Sequence, residues 1–247
     1  MLTCEEEKKW RKDVNTRMIT AHSGCDGTQD NSLEFVQYAL DHDADCLEVD
    51  VRKNGKQLYI SHDGAEGCER IDLGKVFRML RSKDHIKINC DLKESNLEEA
   101  VYKLAQEERV TDRLIYTGSV DPEKFRKENP DRLPVTVYLN IENISLFFNR
   151  LYRMESLDPA QDKLEVLSEL IQACKKLEAY AVKGINICYA ACTEEMIDYM
   201  QNRGVGISLW TVKEPEKIME YLRRGVDNIT TRNLEQALAQ RKQWQGA

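Results

Sequence analysis

Three short phrases near the start of the chain, Ala21-His22-Ser23-Gly24, Leu47-Glu48-Val49-Asp50-Val51 and Ser61-His62-Asp63, place two histidines and two closely spaced carboxylates within 41 residues. Imidazoles that titrate near neutrality, set beside carboxylates, are the raw material of a metal-assisted acid/base site. Glu48 and Asp50 stand at i and i+2 in an apolar run. On a strand both therefore point to one face, while Leu47, Val49 and Val51 point to the other. The solvated face of an edge strand would show the same alternation, so the segment that follows matters.

Lys53-Asn54-Gly55 reads as a three-residue connection into a second strand, Gln57 to His62. With the usual bulge, Arg52 pairs with Lys56, Asp50 with Leu58, Glu48 with Ile60 and Cys46 with His62, and His62 shares the carboxylates' face. A two-residue Asn54-Gly55 turn shifts the register by one and flips His62 away. The bulged register is the one expected.

These residues need a scaffold, and the rest of the chain supplies a pattern for one. Strand-like runs at Met18 to His22, Cys46 to Val51, Leu58 to His62, Ile86 to Asp91, Leu114 to Thr117, Val135 to Leu139, Gly184 to Cys188, Gly206 to Trp210 and Asp227 to Thr230 alternate with helix-like segments. The third of these runs is the returning, antiparallel arm of the hairpin and cannot be a parallel stave. Eight staves remain, which predicts an α/β fold, a (β/α)8 TIM barrel with a β-hairpin arm after the second strand, in one domain spanning residues 1–247. Helix punctuation agrees: Ser95-Asn96-Leu97-Glu98 suits a capping box, Asp121-Pro122 and Glu214-Pro215 suit first turns, and Gly184, Gly204 and Gly225 suit helix ends.

In such a barrel, reactive groups gather where strands end. His22 closes the first stave, Glu48 and Asp50 the second, and Asp91 the third, with Lys93 two residues beyond on the same face. Three carboxylates without a Cys/His cluster favour Mg²⁺ or Ca²⁺ over structural zinc. Lys93 would balance an anionic ligand, the cation would polarise a phosphoryl oxygen, and two histidines would divide the proton transfers as base and acid. That is phosphodiester chemistry in outline.

Composition bounds the alternatives. With 36 Lys and Arg against 43 Asp and Glu, the net charge of −7 argues against a nucleic-acid partner held by broad phosphate neutralisation. No run approaches a membrane span, and the start of the chain is acidic and polar, so neither a span nor a secretory signal is read and a cytoplasmic protein is expected. The eight cysteines, Cys4, Cys25, Cys46, Cys68, Cys90, Cys174, Cys188 and Cys192, contain no Cys-x-x-Cys and are expected as reduced thiols. His42 is expected as a charge partner at a helix end and His85 at the barrel end away from the site. Glu5-Glu6-Glu7 and Arg241-Lys242 are expected as solvated surface. The long interval from Leu139 to Gly184 is expected mainly to pack, covering part of the mouth. Oligomeric state is not legible.

Taken in order, His22-Ser23-Gly24, Gln29-Asp30-Asn31-Ser32-Leu33, Glu48-Val49-Asp50, His62-Asp63, Asp91-Leu92-Lys93, Trp210-Thr211-Val212 and Gly225-Val226-Asp227 resemble the glycerophosphodiester phosphodiesterase family, among the phosphatidylinositol-phospholipase-C-like barrel phosphodiesterases. The family pattern runs His-Arg-Gly, Pro-Glu-Asn-Thr-Leu, Glu-x-Asp, His-Asp, Glu-x-Lys, Trp-Thr-Val and Gly-Val-Asp, and the match spans residues 18–235. The resemblance implies metal-dependent hydrolysis of small glycerophosphodiesters to glycerol 3-phosphate and an alcohol, with attack by the substrate's own hydroxyl through a cyclic phosphate as a favoured route. It implies His22 and His62 as the acid/base pair, Glu48, Asp50 and Asp91 as metal ligands, Lys93 as a phosphate contact and Trp210 as an aromatic wall of the pocket. From its residue type alone, Trp210 suits core packing equally well.

The departures are specific. Ser23 stands where the family has arginine and cannot supply a guanidinium's paired contacts to phosphate. Asp30 replaces glutamate, Gln29 replaces proline, and only 27 residues separate Asp63 from Asp91, so the insertion common in the family is reduced. The short insert and Asp-x-Lys are similar to the sphingomyelinase D group, which makes a sphingomyelinase D or lysophospholipase D-like activity the alternative; His62-Asp63 and Trp210-Thr211-Val212 sit closer to the glycerophosphodiesterases. A non-catalytic phosphodiester-binding relative is a third reading.

Overall fold

The computed structural model describes residues 17–64, 70–153 and 163–246. Its strands are β1 (Met18–Ala21), β2 (Cys46–Asn54), β3 (Gln57–Ile60), β4 (Ile71–Asp72), β5 (Lys87–Leu92), β6 (Leu114–Gly118), β7 (Thr136–Asn140), β8 (Gly184–Cys188), β9 (Gly206–Trp210) and β10 (Asn228–Thr231). The helices are α1 (Leu33–Asp41), α2 (Leu73–Leu80), α3 (Glu98–Glu108), α4 (Ile141–Ile144), α5 (Leu146–Arg153), α6 (Lys163–Leu177), α7 (Glu194–Asn202), α8 (Pro215–Arg223) and α9 (Leu234–Gly246). Parallel pairing runs β1-β10-β9-β8-β7-β6-β5-β2, and β2 returns to β1 through Thr20 opposite Cys46 and Ala21 opposite Leu47. The eight staves close as a (β/α)8 barrel, and β3 and β4 lie outside it as an antiparallel arm.

The alternation expected in β2 is present. Leu47, Val49 and Val51 are fully buried in one apolar cluster with Phe35, Val36, Leu40, Val76, Phe77 and Val101 from the surrounding helices. The alternate positions face the barrel lumen, where Cys46, Ile115 and Tyr138, with Met18 against them, form an apolar plug at the amino-terminal end. Glu48 and Asp50 continue that inward row toward the mouth, at 8% and 3% exposure, so they do not lie on a solvated edge. Close passage of the β8 and β9 backbones leaves no room for a side chain at Gly184, where a Cβ would meet the Gly206 carbonyl oxygen at 1.8 Å.

The hairpin register is not the bulged one. Val51 pairs with Ile60, Arg52 with Tyr59, Lys53 with Leu58 and Asn54 with Gln57, leaving a two-residue Gly55-Lys56 loop. Gly55, at φ 58°, takes the first central position, where a II′ turn favours glycine, so Asn54 belongs to the strand. By parity His62 would now point away from the carboxylates. It does not, because β3 stops at Ile60 and the chain after it turns back over the mouth, with the Arg52 guanidinium donating to the His62 carbonyl from Nε at 3.0 Å and Nη2 at 2.8 Å.

Other local expectations divide. Asp121 caps the turn begun by Pro122, accepting from the Glu123 amide at 3.0 Å, Pro215 opens α8, and Gly204 and Gly225 follow α7 and α8. Ser95 does not cap α3, whose N-cap is Leu97 without a side-chain bond. Glu98 is instead buried, accepting from the Asp121 amide and Lys124. Gly184 lies within β8 and ends no helix. β4, only two residues long, has no periodicity to betray it, and its Asp72 doubles as the N-cap of α2.

Arg241, expected as solvated, is only 14% exposed: its guanidinium meets Asp45 at 2.5 and 2.9 Å. Asp45 in turn accepts from the Ile19 amide, which ties α9 to the β1–β2 seam. His42 stacks on Tyr38 and pairs with Glu235 at 3.1 Å, and His85 sits before β5 beside Asp43 and Asp84, both as expected. Cys25, Cys46, Cys90, Cys174, Cys188 and Cys192 are free thiols, whereas Cys4, Cys68 and Glu5-Glu6-Glu7 lie outside the described residues. Among the described residues no helix is long and apolar enough to cross a membrane.

Candidate active site

Above the apolar plug the lumen turns polar. Thr20 donates to Asn228 at 2.6 Å, Asn228 to Ser208 at 2.9 Å, Ser208 to Asn186 at 2.8 Å and Asn186 to Asn140 at 2.9 Å. Across the barrel, Asn89 donates to Glu48 Oε2 at 3.1 Å and to Thr117 at 3.0 Å, and the Thr117 hydroxyl reaches Asp91 Oδ1 at 2.8 Å. Side chains from all eight staves thus form a hydrogen-bonded floor. A buried polar group without a partner costs on the order of 1–3 kcal/mol, so a satisfied floor fixes the side chains above it.

On this floor stand the carboxylates. β2 and β5 pair in register, with Asp50 opposite Asp91. The Lys93 ammonium bridges them, 2.8 Å from Asp50 Oδ1 and 2.5 Å from Asp91 Oδ2. Asn31 clasps Asp50 twice, its amide donating to Oδ2 at 2.7 Å and its carbonyl accepting the Asp50 N–H at 2.9 Å. Burial alone would raise the pKa of Asp50, but Lys93 and Asn31 hold it below the usual carboxylate range. Glu48 has no such cation. Burial first, then the charges of Asp91 and Asp50, push it up to about 8. Lys93 is raised by the same two aspartates against the opposing effect of burial.

His22 lies beside Glu48, Nε2 to Oε1 3.6 Å, half-buried. Burial, and next the charge of Arg232, lower its pKa to about 4. His62 stands on the rim at 68% side-chain exposure, with Nδ1 3.0 Å from Asp63 Oδ1. Trp210 closes the opposite wall, braced edge-on by Tyr152 of α5 at 5.9 Å, whose hydroxyl accepts the Cys188 amide. The long interval therefore does cover part of the mouth. Residues 154–162 of it lie outside the described residues.

His22, Glu48, Asp50, His62, Asp91, Lys93 and Trp210 all line one cavity of about 520 Å³. Asp30, Asn140, Glu142, Asn186, Thr211 and Arg232 complete it. Among the described residues, three polar atoms on its walls are buried without a partner: His22 Nδ1, Glu142 Oε2 and Trp210 Nε1. Asn89, Asn140 and Asn186 were not singled out from the sequence, although each interrupts an apolar run at an inward position. Arg232 and Glu142 follow the ends of β10 and β7 and carry no local signature.

Three carboxylates in a hard-oxygen set suit Mg²⁺ or Ca²⁺. Among the described residues no three ligating side chains converge on a single point, and Lys93 sits between two of the three acids.

The acids and imidazoles thus stand at the carboxyl-terminal mouth of an eight-stave barrel. Solved structures refine the fold. An Agrobacterium tumefaciens protein assigned as a glycerophosphoryl diester phosphodiesterase superposes with a TM-score of 0.73 at 12% identity, covering 94% of this chain and 100% of its own. An Oleispira antarctica phosphodiesterase solved with its product sn-glycerol-3-phosphate gives 0.67 at 14% identity, covering 91% and 96%. A glycerophosphodiester phosphodiesterase from Parabacteroides distasonis gives 0.64 at 16% identity, covering 92% and 98%. At these identities the likeness is one of fold. No family model matches the sequence, and no curated protein matches it.

Proposed function

We propose that the protein is a metal-dependent phosphodiesterase that hydrolyses small glycerophosphodiesters to glycerol 3-phosphate and an alcohol. The observation that carries this reading is the convergence of both histidines, three acids and Lys93 on one cavity at a barrel mouth. The same barrel in solved structures houses phosphodiesterases, one of them with glycerol 3-phosphate bound.

Glu48, Asp50 and Asp91 are the residues that would hold a divalent cation, which when bound would neutralise charge on a phosphoryl oxygen. Lys93 contributes a second positive charge. His22, on the floor, serves the attacking glycerol hydroxyl as base. His62, held through Asp63 on the open rim, protonates the departing alcohol, which leaves toward solvent. Trp210 offers an apolar face to the carbon skeleton. Attack by the substrate's own hydroxyl needs no protein nucleophile and leaves a cyclic glycerol phosphate; water, giving its proton to His62, then opens the ring while His22 returns the proton to the glycerol oxygen, yielding glycerol 3-phosphate.

The test is release of glycerol 3-phosphate from glycerophosphocholine by purified protein. Mg²⁺ or Ca²⁺ should support turnover, EDTA should abolish it and the added ion should restore it; undiminished turnover in EDTA would refute the metal assignment. Mass analysis of the products checks the alternative. A terminal cyclic phosphate from lysophosphatidylcholine or sphingomyelin, with glycerophosphocholine untouched, would replace this reading with a sphingomyelinase D-like one.

A further inference from the structure

Among the described residues, two cations besides the histidines line the cavity, and they are not equivalent. Lys93 is committed to two aspartates. Arg232, just past β10, is committed differently. Nη1 donates to Asp30 Oδ1 at 2.7 Å and to the Gly24 carbonyl at 3.1 Å, and Nη2 donates to Asp30 Oδ2 at 2.9 Å. A guanidinium carries five N–H groups. Nε–H and one Nη2–H take no part in these three bonds.

Its placement is rigid. The loops after β1 and β10 are knitted by the His22 amide on the Thr231 carbonyl at 2.9 Å and the Asp26 amide on the Arg232 carbonyl at 2.8 Å. Asp26 Oδ2 then accepts the Leu234 amide at the start of α9. Gly24, at φ 78°, is part of the same construction, since a Cβ there would fall 1.9 Å from Asp30 Oδ1. A glycine is thus required for Asp30 to sit where it holds Arg232. The guanidinium lies over the His22-Ser23-Gly24 turn, near enough for its charge to act on His22, and it remains 38% exposed.

We propose that Arg232 is the phosphate clamp of this site, a guanidinium delivered from the end of the eighth stave over a first-stave turn whose Ser23 cannot provide one. The assignment rests on the phosphodiesterase reading above. Ser23 itself is buried and turned to Asp50 at 3.5 Å. Asp30 acts as the brace that orients the fork, leaving its free edge for an oxyanion, a use for which arginine is better shaped than lysine.

Inorganic phosphate and glycerol 3-phosphate are titrated calorimetrically into wild-type protein and into Arg232→Gln, Arg232→Lys and Asp30→Asn, each first shown to be folded by its melting curve. Arg232→Gln should weaken both ligands by about tenfold to a hundredfold, the loss expected for a charge-assisted pair. Arg232→Lys should fall between. Asp30→Asn, which keeps the shape of the brace without its charge, should weaken both ligands by less than Arg232→Gln does. Unchanged phosphate binding in Arg232→Gln overturns the proposal, as does absence of phosphate binding by wild type. Glycerophosphocholine hydrolysis is measured in parallel. Wild-type turnover with phosphate binding indifferent to Arg232 removes the clamp and leaves the phosphodiesterase reading. Arg232-dependent phosphate binding without turnover does the reverse.

Discussion

Asn31 shows how much of the site rests on groups that do no chemistry themselves. Its amide and carbonyl grip both the side chain and the backbone N–H of Asp50, so Asp50 is pinned against burial that would otherwise favour its neutral form. On the proposed reading Asp50 would ligate the cation, and removing such a partner from a ligating carboxylate typically costs tenfold to a hundredfold in affinity or activity. Asn31→Ala is therefore expected to lower kcat/KM for glycerophosphocholine by about that factor, with a loss of about 1–3 kcal/mol in urea-denaturation stability from the broken buried bonds. Activity equal to wild type would show that Asp50 does not need this clasp. The carboxylates and histidines were legible at this scale because their types are rare inside strands. Arg232 was not, and Asn31 stood out only within the family motif without a role, since a polar residue in a loop has no periodicity and the partners that give the two meaning lie 202 and 19 residues away in sequence.

At the scale of elements, the staves were readable from alternation of period two, and their ends brought the acids to one rim. The hairpin was the exception. The bulged Lys53-Asn54-Gly55 connection and the Asn54-Gly55 turn both gave way to a Gly55-Lys56 loop, a choice that depends on how β3 packs and where it stops, which is tertiary information. What places His62 is therefore Arg52, whose guanidinium holds the His62 carbonyl and also reaches Glu94 at 3.3 Å. Arg52→Ala should lower kcat by roughly tenfold through a displaced His62 while costing about 1 kcal/mol of stability, because the pair with Glu94 is only partly buried. Steady-state kinetics alongside thermal melts separate the two effects. A stability loss with kcat intact would assign Arg52 to the fold instead.

For the whole molecule, the barrel must close between its first and second staves, and only two positions pair across that seam, as few as at any joint of the barrel. Arg241 from the last helix reinforces it, meeting Asp45 in a fork and the Arg17 carbonyl at 3.1 Å. Truncating Arg241 leaves a partly buried Asp45 without its cation. Arg241→Ala is expected to cost about 2 kcal/mol, read as a lower urea midpoint with an unchanged slope. An unchanged midpoint would mean that the seam is held by strand pairing alone. A basic residue in a terminal polar run reads as surface, and only closure of the barrel reveals the acid it meets.

The central claim is that His22 and His62 divide the proton transfers of phosphodiester hydrolysis at this mouth. Its most direct test is the rate of glycerol 3-phosphate release from glycerophosphocholine, at saturating Mg²⁺ or Ca²⁺, by wild type, His22→Ala, His62→Ala and the double variant. Each single substitution should reduce kcat by about 10²–10⁴-fold, and the double variant should fall by less than the product of the two, as groups acting on one reaction do. Full activity in the double variant would contradict the account.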